Sequence, residues 1–141
     1  MIKTTLKDFL QSGKLGSVSC DISRDQVCQY LGECEDCTEK AKPEIWKYGS
    51  LQLAFWKGIL KFIGIYFEAN KLPLPEALCI QGYMPSEETK IDDFKEYLLK
   101  EGLDFHQDPV LSFDNQTCLV VDIGVNIIFV NDKLYSIQYK Q

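Results

Sequence analysis

The side chains best equipped for chemistry are thiols. Cys34-Glu35-Asp36-Cys37 makes a C-x-x-C motif, with Cys28 six residues before it and Cys20 eight before that. Four thiolates within 18 residues match the donor number of a tetrahedral zinc site. Structural zinc sites usually come as two separated pairs, however, and Cys28 falls in a helical stretch. The carboxylates inside the motif disfavour a thiolate, which opposes thioredoxin-like redox chemistry. In a chain of six cysteines with no export signal, free thiols in loops or core are expected, without metal or cofactor. A metal or small-ligand site built from Cys20, Cys28, Cys34 and Cys37 is the alternative function.

Catalysis finds little else to use. The one histidine, His106, sits in the polar run Asp104-Phe105-His106-Gln107-Asp108, and no local spacing joins it to Cys79 or Cys118. Glu87-Glu88 and Asp92-Asp93 stand at the start of a helix, where its dipole favours them. The nine glycines form neither G-x-G-x-x-G nor G-K-[ST]. No catalytic residues are therefore assigned, and the expectation is a non-enzymatic binding protein.

The elements that would carry a binding surface follow from periodicity. Leu6, Phe9 and Leu10 predict a short helix over 4–10 ending near Gly13. Ser23-Arg24-Asp25-Gln26 is a capping box, opening a helix whose stripe is Val27, Tyr30 and Leu31 and whose left-handed stop is Gly32. Alternation then predicts strands at 44–48, 50–56 and 59–67, a loop from Asn70 through Pro73 and Pro75, and a further strand within 77–83. A second helix follows, with Thr89 as cap, Ile91, Phe94 and Leu98 on one face and Gly102 as stop. Strands are expected at 109–113, 117–123, 125–130 and 133–139, with turns at Asp114-Asn115 and Asn131-Asp132.

The two halves share a spacing. Phe55, Leu60 and Ile63 repeat as Phe129, Leu134 and Ile137, each copy preceded by a capped helix ending in glycine. The expected fold class is α+β, two tandem helix-plus-antiparallel-β-meander units over residues 1–83 and 84–141, joined in one compact domain. The pattern Ser23-x-x-x-Val27-x-x-x-Leu31-Gly32, then Ile45-Trp46-Lys47-Tyr48-Gly49 and Leu51-x-Leu53-x-Phe55, resembles small bacterial helix-plus-β-meander modules. These include the small lipoprotein of the outer-membrane assembly machine and, in tandem, β-lactamase-inhibitor-protein-like repeats; similar sequences are associated with toxin immunity. The resemblance implies protein binding by a sheet face or loops. The chain departs from it in lacking a lipobox cysteine and in carrying Glu33-Cys34 where the family has proline after Leu-Gly.

Charge and face narrow the partner. Twenty-one acidic against fifteen basic residues give a net charge of −6, unsuited to neutralising phosphates, so nucleic acid is not expected. No run reaches the roughly 18 apolar residues of a membrane span. Met1 to Asp8 lacks a signal-peptide core, so a cytoplasmic protein with no membrane partner is expected. If Leu53, Phe55, Ile63 and Ile65 face the helices, Gln52, Ala54, Trp56, Phe62, Gly64 and Tyr66 face away, a side unusually aromatic for solvent. Trp56, Phe62 and Tyr66 are thus candidate partner contacts, unless the second unit or another copy in a homodimer covers them. Glu33, Glu35, Asp36 and Glu39 form an acidic rim suited to a basic partner. The expectation is an intracellular inhibitor or immunity protein that occludes a basic toxin domain.

Overall fold

Each apolar alternation found above closes into a strand when another such strand lies beside it. The computed structural model describes residues 1–38, 42–68 and 71–141; Glu39 and Asn70 lie outside them. In chain order the elements are β1 (Ile2–Thr5), α1 (Leu6–Ser12), α2 (Arg24–Leu31), β2 (Asp36–Cys37), β3 (Glu44–Tyr48), β4 (Leu51–Trp56), β5 (Ile59–Tyr66) and β6 (Leu78–Gln81). There follow α3 (Ile91–Lys100), β7 (Phe105–Gln107), β8 (Gln116–Val121), β9 (Val125–Val130) and β10 (Lys133–Lys140). Eight strands form one antiparallel sheet in the order β2-β3-β4-β5-β10-β9-β8-β7, while β1 and β6 pair in parallel in a separate two-stranded sheet. The fold is α+β.

One face of the large sheet is covered. Leu53, Phe55, Ile63, Ile65, Ile127, Phe129 and Ile137 are buried in the same cluster as Leu6, Phe9 and Leu10 of α1, Val27 and Leu31 of α2, and Phe94 and Leu98 of α3. All three helices therefore serve one side, and the Phe94 and Phe129 rings meet edge to face at 6.0 Å. The one buried carboxylate among the described residues, Glu44, accepts from Arg24 Nε at 2.8 Å and from Trp46 Nε1 at 3.0 Å.

The Leu-x-x-Ile spacing has a structural cause. An odd interval places both residues inward only if the strand carries one extra residue between them. In β5, Leu60 pairs with Phe55 and Phe62 with Ala54, leaving Lys61 as the extra residue. In β10, Leu134 pairs with Phe129 and Ser136 with Ile128, leaving Tyr135. Beyond each bulge, Ile63 faces Leu53 and Ile137 faces Ile127. The halves meet where β5 pairs with β10, Gly64 opposite Gln138.

Several expectations are corrected. The first helix begins at Leu6, because Ile2–Thr5 is spent on a strand and Thr5 caps instead, its hydroxyl accepting from Asp8 N–H. The capping box of Ser23 and Gln26 is present, but Gly32 adopts φ 79°, ψ −162°, outside the left-handed helical region. Thr89 does not cap α3: its hydroxyl accepts from Ser86 N–H, and the Ile91 N–H is met by Asp132 Oδ1 from the β9–β10 turn at 3.0 Å. The 77–83 strand exists as β6 but joins β1 rather than the large sheet. Residues 109–113 are not a strand. Pro109 has no N–H to give, and Asp108 Oδ1 gathers the N–H groups of Val110 and Leu111 at 2.8 and 3.2 Å into a turn. The edge position is taken instead by Phe105–Gln107, paired with β8. Among the described residues no helix is long and apolar enough to cross a membrane.

Candidate interaction face

On the sheet side opposite the helices, the outward positions of β3, β4, β5 and β10 lie next to one another. Because β10 continues the sheet edge to edge beside β5, the second half widens this face without stacking on it. Trp56, Phe62 and Tyr66 lie on it together, as alternation implies. Trp56 is 37% exposed. Lys140 Nζ stands 5.5 Å from its ring centroid, a cation–π contact between the two halves.

At the centre, Gly64 is bare for a reason. A Cβ there would come within 2.8 and 2.9 Å of Phe62 ring carbons and 3.0 Å of Tyr66 Cε1, so the two rings lie over the glycine from either side. Tyr66 also meets Tyr135 edge to face at 5.7 Å. Burial, and secondarily Tyr135, pushes the Tyr66 phenol above its ordinary range. Tyr135 is itself 48% exposed. Neither Tyr135 nor Lys140 was singled out from sequence. The signal was present in Leu134-x-x-Ile137, whose bulge turns Tyr135 outward, but which strand lies beside β5 was needed to bring it to Tyr66.

The acidic residues divide. Glu33 and Glu35 border a cleft of about 710 Å³ between the end of α2, Tyr48 and the 73–77 segment. Glu35 also lines a smaller cleft of about 300 Å³ with Lys47, Gln52, Tyr66 and Glu68, which opens on the sheet face. Asp36 belongs to neither; it sits on the edge strand opposite Lys47. Among the described residues, Glu35 is thus the one member of the acidic group that the fold brings beside the aromatic residues.

The cysteines do not gather. Cys34 and Cys37 are joined by a disulfide, their Cα atoms 6.4 Å apart, where free thiols were expected. The chain's entry into β2 sets the two positions side by side, and β2 is fixed by pairing with β3. Cys28 is exposed on α2, Cys20 is half-buried and Cys118 is buried. Burial, then Asp21, pushes the Cys20 thiol up to about 11, and burial, then Asp108, does the same for Cys118. Among the described residues no three of His, Cys, Asp and Glu are grouped to hold a metal ion. His106 lies exposed on β7, paired through its backbone with Val120, and no hydrogen bond among the described residues links it to Cys118 or Cys79.

Comparison with known protein families, curated proteins and solved structures finds no match.

Proposed function

We propose that the chain is a non-enzymatic protein-binding protein that docks its partner on the open aromatic face, and that it acts inside the cell as an inhibitor or immunity protein against a bacterial toxin. The observation that carries this reading is the exposure of Trp56 and Tyr135 beside half-buried Phe62 and Tyr66, with no element among the described residues covering them. Monomers seldom leave contiguous aromatic area open, and Trp and Tyr dominate binding energy at interfaces.

The architecture proposed with it is two tandem helix-plus-meander units, 1–83 and 84–141. The register supports this: Phe55 and Phe129, Leu60 and Leu134, and Ile63 and Ile137 each lie 74 residues apart and make the same pairs, with the bulge at Lys61 and Tyr135, also 74 apart. Gly64 pairs across the seam with Gln138, again 74 residues on, as a local two-fold axis between equivalent strands requires.

The test is co-expression with the toxin-like product of a neighbouring gene, followed by capture on the tagged chain. Capture and protection that are lost on Trp56→Ala and Tyr66→Ala support the reading. No partner and no protection, or capture indifferent to both changes, would sink it.

A further inference from the structure

We propose that the Cys34–Cys37 disulfide is a redox switch that sets where Glu35 stands beside the open aromatic face. This rests on the intracellular, protein-binding reading above and names how that site is regulated.

Three observations carry it. The bond closes only the four residues Cys34-Glu35-Asp36-Cys37, at the outer edge of the large sheet, and ties no second element of the fold to β2. A loop so short removes little chain entropy, and neither cysteine is among the fully buried residues of the core, so the bond is not what holds the fold. It does fix a local shape. Three residues of extended strand span about 10 Å. The Cα atoms of Cys34 and Cys37 are 6.4 Å apart, so the ring keeps the chain doubled back at Glu35 and Asp36. Both cysteines are half-buried, packed against the core yet still reachable from solvent. Disulfides inside a cell are characteristically transient and sensing rather than structural.

The consequence of opening the ring falls on Glu35, because the chain is anchored on both sides of it. Before the ring, the Tyr48 hydroxyl donates to Gly32 O at 2.7 Å. After it, Thr38 N–H donates to Ile45 O at 2.9 Å and Thr38 Oγ1 accepts from Ile45 N–H at 2.8 Å. Between these anchors β2 pairs at two positions only, Asp36 with Lys47 and Cys37 with Trp46, and Glu35 N–H donates to Lys47 O at 2.9 Å. Reduction leaves the anchors in place and lets the residues between them extend. Glu35 then leaves the cleft it shares with Gln52 and Tyr66.

The reductant is a dithiol. One of its thiolates attacks a sulfur of the pair, giving a mixed disulfide and one freed cysteine thiolate, which takes up a proton; its second thiolate then displaces the other cysteine, which is protonated in turn. Two electrons pass to Cys34 and Cys37, and the dithiol leaves as its own disulfide. A monothiol fails because the freed cysteine, three residues away, recloses the ring and expels it. Glu35 and Asp36 inside the ring do not favour thiolates, so the pair suits a switch that holds its state and not rapid turnover.

The test uses the isotope-labelled full chain carrying Cys28→Ser, which removes the exposed free thiol, compared in oxidised and in reduced dithiothreitol. After reduction, alkylation and mass mapping should find Cys34 and Cys37 freed together. Amide shifts and faster hydrogen exchange are expected at residues 33–38, with the Tyr66 ring and the Gln52 side-chain amide moving too, while Ile127 and Ile137 stay unchanged. Cys34→Ser/Cys37→Ser in the same background should give the reduced spectrum in either buffer. Partner capture should weaken about fivefold on reduction, the scale of one exposed ion pair. The switch is overturned by a pair that excess dithiothreitol does not open, or by shifts that leave Glu35 and Tyr66 unmoved. It is also overturned by loss of dispersion throughout the spectrum, which marks a staple of the whole fold, or by equal capture in both redox states. No partner enters the spectra, so the expected spectral response with no capture in either state supports the switch and removes the docking reading alone.

Discussion

Replacing Gly64 with alanine separates the shape of the open face from the stability of the sheet. Gly64 has ordinary extended backbone and sits in a central strand, so alanine removes glycine's entropic penalty and gains about 0.5–1 kcal/mol. Against this, its Cβ would lie 2.8–3.0 Å from the Phe62 and Tyr66 rings, closer than carbon atoms approach. Both rings must swing off the strand. If each gives up about 40 Å² of apolar contact at ~25 cal/mol per Å², the loss is about 1 kcal/mol per ring. The net destabilisation is about 1–1.5 kcal/mol, or a melting temperature about 3–6 °C lower for a chain of this size. The displaced Tyr66 ring is also more solvated, so its phenol, raised by burial in the native chain, falls back toward 10.0. Calorimetry and a pH titration of labelled tyrosine ring carbons read both effects, and capture of a partner should weaken about tenfold or more. An unchanged or higher melting temperature with an unmoved Tyr66 titration would show that the rings do not rest on Gly64. A fall beyond about 10 °C would show that the strand, and not the rings, absorbs the change.

Phe55→Ala and Phe129→Ala should each cost about 3–5 kcal/mol in urea unfolding and agree within about 1 kcal/mol, since both rings are buried and hold the same register position; a large inequality would count against the two-unit architecture. Asp132→Ala should cost about 1 kcal/mol or somewhat more, because Ile91 N–H loses its acceptor and residue 132 sits at φ 58°, while Asp132→Asn should restore most of it in a thermal melt. Thiol labelling should find Cys28 first and Cys118 only on unfolding, and Cys28 labelling should keep accelerating above pH 9.0, where an ordinary thiol levels off. For Cys118 the folded pKa, about 11, exceeds the reference value of 9.0. Its neutral form therefore stabilises the fold fully below pH 9 and that contribution is lost as pH rises toward 11, a loss that Cys118→Ala should diminish.

What the sequence made legible was local. Strands β3, β4, β5, β9 and β10 announce themselves because buried apolar or aromatic residues recur at every second position, and α2 because Ser23 and Gln26 satisfy each other's backbone. β1 was hidden because four residues, Ile2 to Thr5, make too short a pattern and its partner β6 lies 76 residues away, Ile2 opposite Leu78. β7 was hidden for another reason: an edge strand with one half-buried residue, Phe105, has no inward row to display. Val110, Leu111 and Phe113 imitate such a row, yet Val110 is 80% exposed, because the side chain of Asp108 outcompetes a ladder that Pro109 cannot join. On the face itself, alternation located Trp56, Phe62 and Tyr66, but contacts made across strands, Lys140 on Trp56 and Tyr135 on Tyr66, depended on β5 lying beside β10. No local pattern encodes that adjacency. The Cys34–Cys37 bond is of the same kind, set by the path into β2.

The 74-residue correspondence also explains why binding should be one-sided. Inward positions keep their character across it: Leu53 and Ile127, Phe55 and Phe129, Ile63 and Ile137. Outward positions do not. Phe62 corresponds to Ser136, Tyr66 to Lys140, Trp56 to Val130 and bare Gly64 to Gln138. The inward set is held to one solution by close packing against the helices, where a single methylene is felt. The outward set is free of that constraint, so its divergence reports a different requirement on each half. The first half contributes the rings and the acidic cleft, while the second contributes Lys140 and Tyr135 at the seam, where they fix Trp56 and Tyr66 in place. On the two-unit reading, then, the second unit positions the recognition surface that the first unit carries. Truncation at residue 83 should therefore abolish partner capture even though Trp56, Phe62 and Tyr66 are retained, because β5 would lose the strand that holds its outer face in register.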